Sequence, residues 1–192
     1  MNPAVKGLLV VIVISGALLA GWLKYSDFLA RGQKPPMASQ ILNDMEKNGV
    51  PDFELEDITG KNIALKDYRG KVVLLNFWAS WCEPCIQEFP SMIKLIEEMK
   101  GDVILLAVSA DYERADIDPF LKAFKVKSEH IKIMWDKDQN VAKQYGTFKL
   151  PESYLIGKNG ELVRKVAGIE DWATPEAFEY FQMLIEGKTQ PE

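Results

Sequence analysis

Phe77 to Cys85 reads FWASWCEPC, and it holds both cysteines of the 192-residue chain. It follows KVV at Lys71 to Val73 and LLN at Leu74 to Asn76, so Lys71 to Ala79 is a nearly continuous apolar run. A strand buried on both faces has that composition. Directly after it, Ile86, Phe89, Ile93, Ile96 and Met99 recur at helical spacing up to Gly101. Strand, CxxC and helix therefore come in immediate succession. A cysteine at the start of a helix meets free backbone N–H groups and the positive end of the helix dipole, and both favour the thiolate. Cys85 follows one turn on, within reach of a disulfide attached to Cys82.

Two other uses of CxxC fit poorly. A structural zinc site wants four ligands, chiefly Cys and His, and His130 is the only histidine, about 45 residues away. It reads as a surface or strand-edge residue, and no metal is expected. A disulfide closing so small a ring adds little as a staple. Redox chemistry remains, with a reversible Cys82–Cys85 disulfide and no cofactor.

Outward from this centre, DFELED and IALKDY read as a hairpin around Gly60. DVILLAVSAD at Asp102 to Asp111 reads as a second buried strand. A helix around Pro119, a short strand IKIMWD and a helix DQNVAKQYG follow. ESYLIG and ELVRKVAG are expected to pair across Asn159-Gly160 as a tight turn. The last helix opens with Thr174 as N-cap and Pro175 in its first position. Pro90 falls inside the helix after the CxxC, where it removes one backbone bond and is expected to kink the axis. This order predicts a three-layer α/β fold, a central parallel pair with antiparallel strands added late.

Gly7 to Leu23 carries no charge. Seventeen helical residues span roughly 26 Å, close to a bilayer core, and Trp22 and Tyr25 stand at the far end, where aromatic anchors favour the interface. Ser15-Gly16-Ala17 could serve signal cleavage but lies inside the apolar run, so an uncleaved anchor is expected. The boundaries read as a tail at 1–6, an anchor at 7–25, a linker at 26–47, a domain at 48–187 and a tail at 188–192. ILNDMEKNG reads as a short helix ending at Gly49.

Residues 1–36 hold four Lys/Arg and one Asp, net +3; the remaining 19 basic and 27 acidic residues give the body −8. So acidic a body repels phosphate backbones, which argues against nucleic-acid binding. Lys24, Arg31 and Lys34 flank the far end of the span, and counted literally the positive-inside rule points the body toward the cytoplasm. The redox centre argues the other way.

FWASWCEPC, the EFP that follows, and YGTFKLPESYLIGKNGEL resemble the thioredoxin superfamily, over about residues 48–187. With the leading hairpin, the insert before IKIMWD and the anchor, the chain resembles the TlpA/ResA/CcmG (DsbE) branch of membrane-anchored extracytoplasmic thiol–disulfide oxidoreductases. Gly157 departs from the Asp common there. The resemblance implies a thioredoxin-like α/β/α domain with an N-terminal β-hairpin behind a single transmembrane helix. Cys82 is then the nucleophile and Cys85 the resolving thiol. Pro151 is the cis-proline beside them, and Leu150-Pro151 presents backbone to a bound peptide. Trp81 flanks Cys82 as apolar surface for the substrate, whereas Trp78 reads as core. Glu152 after the proline echoes a PET motif of the CcmG group.

Asn76 stands where thioredoxin has a buried Asp, so Glu88, three residues after Cys85, is the candidate carboxyl that tunes Cys85 and moves its proton. Glu83 places a negative charge beside Cys82, and Pro84 removes an N–H; both leave the thiolate less stabilised and predict a reductant. The expected substrates are protein disulfides, foremost the haem-binding CxxCH cysteines of apocytochrome c, with recharging by a transmembrane electron donor of the CcdA/DsbD type. Reduction of copper-site assembly proteins for an oxidase is the runner-up, and a non-catalytic thioredoxin-like binding module the rival from another class. A peroxidase would want its cysteine near a Thr and an Arg, and the second cysteine of this motif argues against it. The domain is expected outside an inner membrane crossed once.

Overall fold

The computed structural model describes residues 2–32, 36–126 and 128–188. It divides into two units, Met1–Pro36 and Met37–Glu192. The first is one helix, α1 (Pro3–Gly32), whose stretch Val5–Asp27 is long and apolar enough to cross a membrane. Trp22 and Tyr25 are exposed neighbours on it, with ring centroids 6.4 Å apart.

The second unit opens with α2 (Met37–Asn48), which Gly49 ends at φ +84. Of the stretch 26–47 read as linker, 26–32 prolongs α1, Pro36 is not helical, and 37–47 lies in α2, which starts four residues before the helix expected from Ile41. The reason is an apolar face: Met45 is buried, and Ile41 and Leu42 pack beside it against one side of the sheet. Residues 33–35, which include Lys34 and Pro35 of the expected linker, and residues 189–192 of the expected tail lie outside the described residues.

β1 (Glu54–Glu56) and β2 (Asn62–Ala64) form the expected hairpin, with the Asp57 carboxylate accepting from Thr59 and Lys61 across its turn. The main sheet has five strands: β3 (Val72–Trp78), β4 (Val103–Ser109), β5 (Ile131–Trp135), β6 (Glu152–Ile156) and β7 (Leu162–Ala167). Their order is β5-β4-β3-β6-β7. β3, β4 and β5 run parallel; β6 and β7 are antiparallel to their neighbours. β3 and β4 are buried at every position, as a strand covered on both faces must be.

The sides of β3 divide the core in two. Val72, Leu74 and Trp78 pack with α3 (Glu83–Glu98), α4 (Ile117–Phe124) and α6 (Pro175–Ile185). Val73, Leu75 and Phe77 pack with α2, α5 (Asn140–Gln144) and the β1–β2 hairpin. That is the three-layer arrangement. Trp78 stacks within 4.2 Å of Phe120 and 5.4 Å of Phe89, so it is core, as read.

One local reading changes. The β6–β7 connection runs from Gly157 to Glu161, not across a two-residue turn: the Gly160 N–H donates to the Gly157 carbonyl (2.9 Å) and the Gly157 N–H to the Glu161 carbonyl (3.0 Å). Gly160, and not Asn159, takes the left-handed conformation, so the mirror-image turn of an Asn-Gly hairpin does not form. α3 continues through Pro90 to Glu98, with the proline inside the helix as read.

Candidate active site

β3 delivers the chain to the sheet's edge at Trp78, and α3 begins five residues later. Cys82 is the N-cap of α3, with extended backbone (φ −88, ψ 99). Its N–H donates to the Ala79 carbonyl (3.1 Å), and its own carbonyl accepts from Ile86 (3.1 Å). Cys82 and Cys85 form a disulfide, with Cα atoms 5.3 Å apart. The Cys85 N–H also points at the Cys82 sulfur (3.3 Å), the contact by which a helix start stabilises a thiolate. Pro84 lies in the first turn and donates nothing, while Glu83 is exposed and accepts from the Gln87 side chain (3.3 Å).

The turn before Cys82 is held by Asp111, which the sequence reading passed over as a strand end. Asp111 is buried, two residues beyond β4. Its carboxylate accepts from the Ser80 N–H (3.0 and 3.1 Å), the Ser80 hydroxyl (2.7 Å) and the Ser109 hydroxyl (2.6 Å). The Ser80 backbone and hydroxyl donors tie the 79–82 loop to Asp111, and the Ser109 hydroxyl anchors the same carboxylate to the end of β4. The signal for it is topological: ends of parallel strands at one edge of an α/β sheet converge on the site.

Around Cys82 the surface is apolar and open. A groove of about 750 Å³ is lined by Trp81, Cys82, Pro84, Tyr112, Phe148 and Leu150, among others. Trp81 (57 % exposed) stacks on Tyr112 (73 % exposed) at 6.4 Å and 16°. Phe148 is 60 % exposed. Tyr112 and Phe148 sit in no pattern that marks them in the sequence; only the fold brings them to Trp81. Lys143 and Lys149 also line this groove, Glu83 being its one acidic residue.

Leu150-Pro151 is a cis peptide bond. The Pro151 carbonyl is already taken by the Gly168 N–H (2.9 Å), and proline has no N–H. Leu150 lines the groove, while Pro151 is buried. Glu152 turns inward and pairs with Lys165 (2.9 Å), beside the Tyr154 hydroxyl (3.3 Å). Asn76 donates to the Ser153 hydroxyl (2.9 Å), a neutral pair in the middle of the sheet.

Behind the disulfide the surroundings are closed. Cys85 is buried in the cluster that contains Phe89, Trp172 and Phe181. Glu88, one turn further along α3, is 2 % exposed. Its Oε1 accepts from the Trp172 indole (2.5 Å), and its Oε2 has no hydrogen-bond partner among the described residues. Burial pushes the Glu88 carboxyl up to about 7; the Trp172 hydrogen bond and the Glu170 backbone N–H pull the other way, and the Glu170 charge adds to the rise. The Glu170 N–H counts for little, because no hydrogen bond of normal geometry joins the two. Neither Trp172 nor Glu170 is near Glu88 in sequence.

A buried sheet that leads into a helix capped by the first cysteine of a CxxC, with a cis-proline at the start of the neighbouring strand, defines a thioredoxin-like disulfide protein. Residues 47–165 match the AhpC/TSA family. The thiol–disulfide oxidoreductase ResA of Bacillus cereus is 32 % identical over 168 residues, 87 % of this chain and 89 % of the relative. ResA of Bacillus subtilis is 37 % identical over 124 residues, 64 % of this chain and 68 % of the relative. A crystal structure described as a thiol:disulfide interchange protein DsbE from Chlorobium tepidum superposes with a TM-score of 0.60 at 33 % identity, covering 72 % of this chain and 94 % of that one. The chain belongs to the AhpC/TSA family and, within it, to the thiol–disulfide oxidoreductases of the ResA kind.

Proposed function

We propose that this enzyme is an extracytoplasmic reductant, anchored by α1, that reduces protein disulfides, with the CxxCH cysteines of apocytochrome c as its foremost substrate. The observation that carries the assignment of attacking and resolving thiol is the polarity of the centre. Cys82, though itself only 5 % exposed, lines the open groove, whereas Cys85, 2 % exposed, lies one helical turn from the buried Glu88 and lines no part of that groove. The Cys82 thiolate attacks a substrate disulfide, forming a mixed disulfide and expelling one substrate thiolate. Glu88, as carboxylate, takes the Cys85 proton. The Cys85 thiolate then attacks the Cys82 sulfur, and the second substrate thiolate leaves. Two electrons pass to the substrate, and the Cys82–Cys85 disulfide is regenerated.

Glu83 beside Cys82 and the missing N–H of Pro84 leave the thiolate less stabilised than in strong oxidants. The expected potential is nearer roughly −270 mV, the value for thioredoxin, than roughly −120 mV, that of DsbA. An extended substrate segment lies between the Trp81–Tyr112 pair and Phe148, its backbone against Leu150. The spent disulfide is re-reduced by a transmembrane donor of the CcdA/DsbD type. Support for the anchored placement comes from the length and apolarity of α1.

Expression of the Cys85→Ser chain in cells tests this reading. Its mixed disulfides, isolated and identified, are expected to contain apocytochrome c. A membrane-impermeant thiol reagent is expected to label the reduced chain on spheroplasts. Absence of that labelling overturns the placement, and trapping of cytoplasmic proteins alone overturns the substrate class.

A further inference from the structure

Glu88 is held from outside its own helix by a residue with no other part in the redox centre. Trp172 lies between β7 and α6 and is 4 % exposed. Its backbone N–H donates to the Ser91 hydroxyl (3.2 Å), which itself donates to the Glu88 carbonyl (2.7 Å). Its ring packs edge-on against Phe181, centroids 6.2 Å apart. The start of the same segment is tied down by the Gly168 N–H on the Pro151 carbonyl. The indole is thus fixed through backbone, ring and segment, and its N–H meets Glu88 Oε1 at 2.5 Å.

An indole N–H donates only and does not titrate. It can stabilise a carboxylate but cannot take its proton. When Glu88 is protonated, Oε1 still has a donor in front of it, so the proton resides on Oε2, which has no other partner among the described residues. We propose that Trp172 is a positioning residue for Glu88: it holds Oε1 as a permanent acceptor and leaves Oε2 as the oxygen that takes the Cys85 thiol proton and gives it back. This rests on the proton-transfer role assigned to Glu88 above. The step balances as Cys85–SH and Glu88–COO⁻ becoming Cys85–S⁻ and Glu88–COOH. The charged side chain that acts on Glu88 from the packed segment is Glu170; its own helix carries Glu83, Lys94, Glu97 and Glu98, with Cys82 at the cap and Cys85 titratable when reduced.

The test follows the resolution of a mixed disulfide against pH, using the full chain in detergent as wild type, Trp172→Phe and Glu88→Gln. Phe keeps most of the packing and removes the N–H. Loss of a hydrogen bond to a charged group is expected to move the Glu88 limb of the profile up by about one pH unit. The rate should return to near wild type on the alkaline plateau, and Glu88→Gln should lose the limb. A purely structural role for Trp172 lowers the rate at every pH without moving the limb, and that result overturns the proposal. A second measurement needs no Trp172 variant: in the oxidised wild-type chain, the Trp172 indole ¹⁵N–¹H resonance should titrate with the Glu88 carboxyl and stop doing so in Glu88→Gln. An indole signal unmoved through that titration also overturns the proposal. If the wild type exchanges no disulfide at all, the functional reading fails, while the indole titration still decides the positioning.

Discussion

The two sulfurs of one disulfide face opposite environments. On the Cys82 side the surface is open, with Trp81, Tyr112 and Phe148 exposed around it and Lys143 and Lys149 near by. On the Cys85 side there is a closed apolar cluster with one carboxyl in it, and that carboxyl has a single firm hydrogen bond. The difference separates two tasks that a dithiol must perform in turn. Attack on a protein needs access and adhesive surface; resolution needs a thiol deprotonated on demand, away from competing nucleophiles. In the mechanism we propose, burial serves the second task because it brings the Glu88 carboxyl near neutrality, where it can both accept and return a proton.

Changes at the sulfurs should break the contrast most. Cys82→Ser is expected to abolish reduction of insulin, whereas Cys85→Ser should still attack and then accumulate mixed disulfide, seen on non-reducing gels. Glu88→Gln should leave the first attack within a few-fold and slow resolution about 100-fold near neutral pH, measured by single-turnover kinetics. The same variant has an opposite effect on stability. Because the folded-state value lies above the ordinary 4.5, the stability that Glu88 contributes is complete below 4.5 and lost as pH rises through about 7. Glu88→Gln should therefore be more stable than wild type at pH 8, by up to roughly 3 kcal/mol, and nearly equal at pH 4, in urea unfolding of the oxidised chains.

Asp111 supports both sides, since its hydrogen bonds set the turn from which Cys82 enters α3. Asp111→Ala should cost about 3 kcal/mol by leaving buried donors unpaired, read from the same unfolding curves. The smallest effects belong to the open surface. Tyr112→Ala and Phe148→Ala should each raise KM for a protein disulfide about fivefold, with kcat and stability nearly unchanged.

How much of this was legible depends on distance along the chain. β3, the CxxC and α3 are contiguous, and the alternation of buried strands and amphipathic helices carries the layers, so the centre and the α/β class follow from one short stretch. Glu88 was legible because it lies one helical turn from Cys85. The parts contributed by other segments were not. Trp172 stands 84 residues from Glu88 and Asp111 stands 31 from Ser80; neither spacing leaves a local trace. Tyr112 and Phe148 look like ordinary loop aromatics until the sheet brings their loops beside Trp81. The helix read from Ile41 to Gly49 begins earlier, at Met37, in a stretch read as linker because Pro35-Pro36 stops a helix; the face of Ile41, Leu42 and Met45 holds it on the sheet. Asn159-Gly160 misled in the other direction, since the left-handed residue is the glycine alone.

The division of labour between the sulfurs is tested most directly by competition for a small alkylating agent. The reduced full-length chain, treated with limiting iodoacetamide at pH 7 and mapped by mass spectrometry, should carry the label on Cys82 in large excess over Cys85. Equal labelling, or labelling led by Cys85, would contradict the assignment of an open attacking thiol and a closed resolving one.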